Sequence, residues 1–152
     1  MSIIKIEPFC IAGISIRTTN ENGASSKDIP ALWNRFLSEK IIEQIPGKIC
    51  NDIYAVYTDY EKDFTKPYTT ILGCSVENAD QLPAGFASTI IPGGQYNLFT
   101  AKGNLQEGIV FNVWTKIWSL AIKRTYTADF EVYGAKAQNP ANAEVDIFVA
   151  IE

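Results

Sequence analysis

Two stretches of this chain carry the same order of elements, and that repetition limits the fold more than any single motif does. In the first, an alternating segment at 3–19 precedes a helical stripe running from Ile29 to Ile45. Alternating segments at 52–60 and 68–76 follow. In the second, a strand-like segment at 86–100 precedes a helical pattern from Asn104 to about Lys123. Strands around 130–134 and 145–151 complete it. A period of two marks strands and a period of 3.6 marks helices. The local texture agrees: LWNRFLS at 32–38 lies against VWTKIWS at 113–119, and YAVY at 54–57 against FEVY at 130–133. We read an internal duplication within one domain, with pseudo-repeats 1–78 and 79–152. Two strand–helix–strand–strand halves packed together predict an α+β fold. It would have an antiparallel sheet, two main helices and a central groove where the halves meet.

Punctuation residues place the boundaries. Pro8 and Gly13 mark a bend or bulge in the first strand segment, and Pro92-Gly93-Gly94 breaks the segment at 86–100. Asp28 suits a helix N-cap, Pro30 a first turn, and Pro46-Gly47 a helix end. Trp33 and Phe36 fall on the apolar stripe and read as core. The loop EKDFTKP at 61–67 reads as a charged hairpin connection, and Gly73 as a bulge or a point of close packing. Lys123 and Arg124 read as a solvated helix end.

Several chemistries are excluded by what is missing. The chain has no histidine, which removes Ser-His-Asp and Cys-His catalysis and the commonest transition-metal ligand. Its three cysteines, Cys10, Cys50 and Cys74, are too few for an all-thiolate zinc site. Wide spacing predicts buried free thiols in a reducing compartment. No phosphate-cradling glycine motif occurs, and no cofactor or metal is expected. A formal net charge of −4 argues against direct nucleic-acid binding and fits a cationic partner. No segment has the length of a membrane span. The opening MSIIKIEPFCIAGISI lacks the cationic start of a secretion signal, so a cytoplasmic location is expected.

The candidate site rests on TADFEVYGA at 127–135. Alternation puts Phe130 and Val132 on one face of a strand, and Glu131 and Tyr133 on the other. A carboxylate beside an aromatic in a strand interior is costly unless something pairs with it. Two readings follow: an edge strand with Glu131 in water, or an acid at the bottom of an aromatic pocket. Aligning YAVY with FEVY sets Ala55 against Glu131 and Tyr57 against Tyr133. The groove would then hold two related tyrosines and one acid. That suits cation binding by charge and ring contact better than hydrolysis by paired carboxylates. In the second helix, Phe111 and Trp118 widen the apolar face beyond the stripe that includes Trp114. Something covers that extra face: the other half, a homodimer or protein partner, or a ligand. Tyr54, Tyr60, Tyr68 and Tyr96 read as ordinary half-buried strand tyrosines.

Four stretches in register carry a family likeness. They are IPGGQYNLFTAKG at 91–103, VYTDYEKDFTKPYTTILGCSV at 56–76, VWTKIW followed by FEVY, and VDIFVAI. Together they resemble the GyrI-like, or AraC-type, effector-binding domains, which include stand-alone proteins carried on integron cassettes. The resemblance implies binding of small cationic, amphipathic or aromatic molecules, with a multidrug-binding, transcription-regulation or resistance role. It places the ligand-binding acid at Glu131 with Tyr133. Tyr57, Trp114, Trp118 and Phe148 complete the candidate site, Phe148 standing where the family often has tyrosine. No residue is assigned a catalytic role. The alternatives are a small-molecule hydrolase using Glu131 and a gyrase-inhibitor-like protein-interaction module.

Overall fold

A computed structural model describes residues 2–152. Eight strands form one sheet: β1 (Ser2–Ile6), β2 (Phe9–Thr18), β3 (Ile53–Thr58), β4 (Tyr68–Val76), β5 (Ala87–Ile91), β6 (Gly94–Gly103), β7 (Ala128–Tyr133) and β8 (Ala143–Ile151). The helices are α1 (Ala24–Ser38), the single turn α2 (Ile41–Gln44) and α3 (Ile109–Ser119). The strand order is β1-β6-β8-β7-β3-β4-β2-β5, and every neighbouring pair is antiparallel. The fold is α+β, as the element order predicts.

The alignment of YAVY with FEVY sets Tyr57 against Tyr133 and Ile53 against Asp129. In the sheet Ile53 lies opposite Tyr133 and Tyr57 opposite Asp129. Exchanging the halves therefore maps the β3–β7 ladder onto itself, with the Ala55–Glu131 pair at its centre. The first strands are exchanged. β1 pairs with β6 (Ser2 opposite Leu98), and β5 pairs with β2 (Ala87 opposite Gly13).

One face of the sheet packs on itself. Phe9 of β2 and Phe130 of β7 are three strands apart, roughly 14 Å in a flat sheet. Their rings nevertheless meet at 5.5 Å, so the sheet curls. Ile11, Val56, Ile71, Ile91, Tyr96 and Phe130 fill the hollow. The helices cover the other face. Leu32 and Phe36 of α1 pack on β2 and β4, while Trp114 and Ile117 of α3 pack against Val145, Ile147 and Val149 of β8. α1 makes its sheet contacts on β2 and β4 and α3 on β6, to either side of β3 and β7.

Several boundaries differ from those predicted. α1 starts at Ala24, after Gly23 in the left-handed conformation, and Asp28 is not its cap. The Asp28 carboxylate instead accepts a hydrogen bond from the Thr18 hydroxyl at 2.8 Å. Pro30 therefore lies inside the helix and cannot donate to the carbonyl of Ser26. Lys40, also left-handed, separates α1 from α2. α3 stops at Ser119, where the hydroxyl donates to the Lys116 carbonyl at 2.7 Å and Leu120 turns extended. Gly13 and Gly73 are directly opposed, and a Cβ on either would collide with the partner strand's backbone. Gly73 is thus a close-packing site. Cys74 is buried, but Cys50 is exposed, against the expectation of buried thiols throughout.

Candidate functional site

Glu131 is 1% exposed and lies on β7, a central strand, so the edge-strand reading does not hold. Its carboxylate faces the gap between α1 and α3. One oxygen, Oε2, accepts from the Tyr57 hydroxyl at 2.8 Å and from Trp114 Nε1–H at 2.6 Å. The other, Oε1, accepts from the Tyr133 hydroxyl at 2.8 Å. Ala55, directly opposite on β3, leaves room for these donors. Burial pushes the Glu131 carboxyl above its ordinary value, and the three donors pull it back only in part. Burial and the neighbouring acid likewise push the Tyr57 and Tyr133 hydroxyls well up, which keeps both as donors.

A cavity of about 310 Å³ opens above this acid. Trp33 and Pro30 of α1 line one side, and Val110, Phe111, Trp114 and Trp118 of α3 the other. Tyr57, Tyr133, Tyr60, Tyr68 and Phe64 complete an aromatic wall. Phe64, from the β3–β4 loop, stacks on Trp118 with ring centres 5.4 Å apart and planes 4° off parallel. Asn20 anchors that loop by donating to the Phe64 carbonyl at 2.8 Å. All three tryptophans of the chain line the cavity.

Two charged residues line it, Glu131 and Arg124. Arg124 is buried, not solvated as predicted. Because α3 ends early, the chain beyond it runs back to the sheet and brings Nη2 within 2.7 Å of Asp129 Oδ2. The guanidinium also lies 4.4 Å from the Tyr126 ring centre. Asp129 accepts from the Tyr60 hydroxyl at 2.6 Å and from the Ala150 amide at 2.8 Å. Asp129 therefore balances the Arg124 charge, although Nε and Nη1 of the guanidinium have no hydrogen-bond partner, and among the described residues no cation stands within ion-pair distance of Glu131.

Of the residues singled out in the sequence, Glu131, Tyr133, Tyr57, Trp114 and Trp118 come together here. Phe148 does not. Strand alternation turns it to the opposite face, where it stacks on Phe130 at 4.7 Å between ring centres. Tyr60 and Tyr68 line the cavity although they read as ordinary strand tyrosines, while Tyr54 and Tyr96 face the hollow of the sheet. Trp33, read as core, is the counterpart of Trp114 and packs edge-on against Tyr133 at 4.8 Å. That alignment was the signal for Trp33. The signal for Asp129 was its spacing of two from Glu131, which places both acids on one face.

Among the described residues no group of three or more Cys, Asp or Glu gathers in a way that could hold a metal. Among the described residues no helix is long and apolar enough to cross a membrane.

The Cass2 family of integron-associated effector binding proteins matches residues 2–151. YobU of Bacillus subtilis (strain 168), named as a candidate transcriptional regulator, is 33% identical over 145 residues, covering 93% of this chain and 91% of YobU. An integron cassette protein from the mobile metagenome of Vibrio cholerae superposes with a TM-score of 0.75 at 30% identity, covering 99% of this chain and 95% of that one. SAV2435, solved bound to tetraphenylphosphonium, shares the fold with a TM-score of 0.76 at 14% identity, over 99% of this chain and 93% of that one. The chain belongs to the integron-associated effector binding protein family.

Proposed function

We propose that this protein binds small aromatic cations, which enter between α1 and α3 and set their positive charge against Glu131. The observation that carries this reading is one uncompensated, fully buried carboxylate inside an aromatic cage. Three donors occupy part of its accepting capacity, and a carboxylate has about four lone-pair sites. A cation restores what burial costs the ionised acid, and each ring face adds roughly 0.5–2 kcal/mol. Membership of an effector-binding family supports small-molecule recognition. The ligand carried by SAV2435 supports the choice of a lipophilic cation as probe. The name of YobU supports a regulatory use, in which ligand occupancy is the signal.

Tryptophan fluorescence tests the reading directly, because every tryptophan lines the cavity. Titration with tetraphenylphosphonium should give saturable quenching. Glu131→Gln should weaken the affinity roughly tenfold or more. Equal affinity in the two proteins would falsify the assignment of Glu131 as the charge partner.

A further inference from the structure

We propose that a second cavity between α1 and α3 is a subsite for the apolar tail of an elongated amphipathic cation whose charged head meets Glu131. This rests on the reading of Glu131 given above. The second cavity, of about 660 Å³, adjoins the first and shares Pro30, Trp33, Val110, Phe111 and Tyr133 with it. The remaining residues fall in order along each wall. On α1, Ser26 lines only the first cavity and Leu37 only the second. On the other side Trp118 of α3 lines only the first, and Leu105, just before α3, only the second. On the sheet Tyr57 lines only the first and Ile53 only the second, while Tyr133, opposite Ile53, lines both. The two cavities therefore follow one another along a single groove.

The two ends differ in chemistry. The first holds the buried acid. The second is lined by Leu37, Leu105, Val110, Phe111 and Ala137, and no lysine or arginine lines it. Leu37 and Phe111, one on each helix, are both 60% exposed. Large apolar side chains left in water around one trough gain by being covered. Continuity with the first cavity selects what covers them. A chain that leaves a head at Glu131 reaches the shared Tyr133 about 7 Å further along β7 and enters the trough there. It covers the apolar rims and buries no second charge. A compact cation leaves them exposed.

Butyltrimethylammonium and decyltrimethylammonium make the test, since they share one head and differ only in tail. Both are titrated on the full chain by tryptophan fluorescence, below the concentrations at which they form micelles. Fully burying a methylene raises affinity about fourfold, and a trough open on one side should give about twofold for each. The decyl ion should therefore bind roughly fiftyfold tighter than the butyl ion. Leu37 lines only the second cavity and is largely exposed, so Leu37→Gln leaves the fold intact. It should weaken the decyl ion about threefold or more and leave the butyl ion unchanged. A wild-type ratio below about tenfold, a full ratio surviving Leu37→Gln, or an equal loss for both ions overturns the proposal. The head is decided separately. A butyl ion indifferent to Glu131→Gln counts against the reading of Glu131, while the ratio between the two ions still decides the tail.

Discussion

Tyr57 and Tyr133 occupy equivalent positions in the two halves and donate to opposite oxygens of one carboxylate, each at 2.8 Å. Two tyrosines thus supply matched donors to one acid, and Ala55 lies directly opposite it across the ladder. The match is not complete. Tyr57 shares its oxygen with Trp114, whereas Tyr133 is the sole donor to the other. Losing a hydrogen bond to a buried charge costs about 1.5–3 kcal/mol. Tyr133→Phe should therefore destabilise the protein by about that much, and Tyr57→Phe by less. Urea unfolding at neutral pH measures both.

Acid should act on stability and on ligand affinity with opposite signs. Glu131 titrates above its ordinary value in the folded protein because it is buried. Between the ordinary and the raised value, the folded state holds a proton that the unfolded chain has released. The Glu131 contribution therefore favours folding as pH falls through that window, and ionisation removes it as pH rises. A bound cation favours the ionised form, so affinity for a permanently charged ligand should fall over the same range. The measurement is the difference between wild type and Glu131→Gln, followed by urea unfolding and by dye titration across pH. Parallel curves for the two proteins would count against a raised Glu131.

The Arg124–Asp129 pair should behave as a unit. Both are buried and their contact is 2.7 Å. Removing one partner of such a pair costs about 3–5 kcal/mol, because the other charge is left stranded. Arg124→Met and Asp129→Asn should each fall in that range. The double variant should lose less than the two losses combined, which a double-mutant cycle in urea would reveal.

Phe64 closes the cavity by stacking on Trp118 from a loop. Phe64→Ala should cost no more than about 1 kcal/mol of stability, as the ring is only half-buried outside the core. Affinity for an aromatic cation should drop several-fold, mostly through faster release, since closing contacts act on the off-rate. Stopped-flow fluorescence separates the two rates.

The element order and the faces of β7 could be read from alternation alone, because a two-residue period fixes which side chains share a side. Glu131 and Tyr133 followed from that, and Tyr57 from the repeat. Phe148 did not, since its placement depends on the register of β8, and a one-residue change in parity moves a side chain to the other face. Arg124 was hidden by the helix end. A run of helix-compatible residues gives no sign that Ser119 will stop it, or that the chain beyond will return to Asp129. Phe64 was hidden because its partner Trp118 lies in the other half, and no local pattern reports a contact across halves. The curl of the sheet, which brings Phe9 to Phe130, is likewise a property of all eight strands together.

The exchange of β1 and β5 between halves determines how the groove can and cannot adapt. A clamp whose jaws meet along one ladder opens by a hinge. Here each jaw is stitched to the other three times, through β3–β7, β1–β6 and β2–β5. Spreading the jaws would expose edges of β2 and β6 that have no other partner. The width of the groove is therefore set by backbone. Tolerance for ligands of different shape falls to the rotation of Trp33, Trp118, Phe64 and their neighbours within a rigid frame.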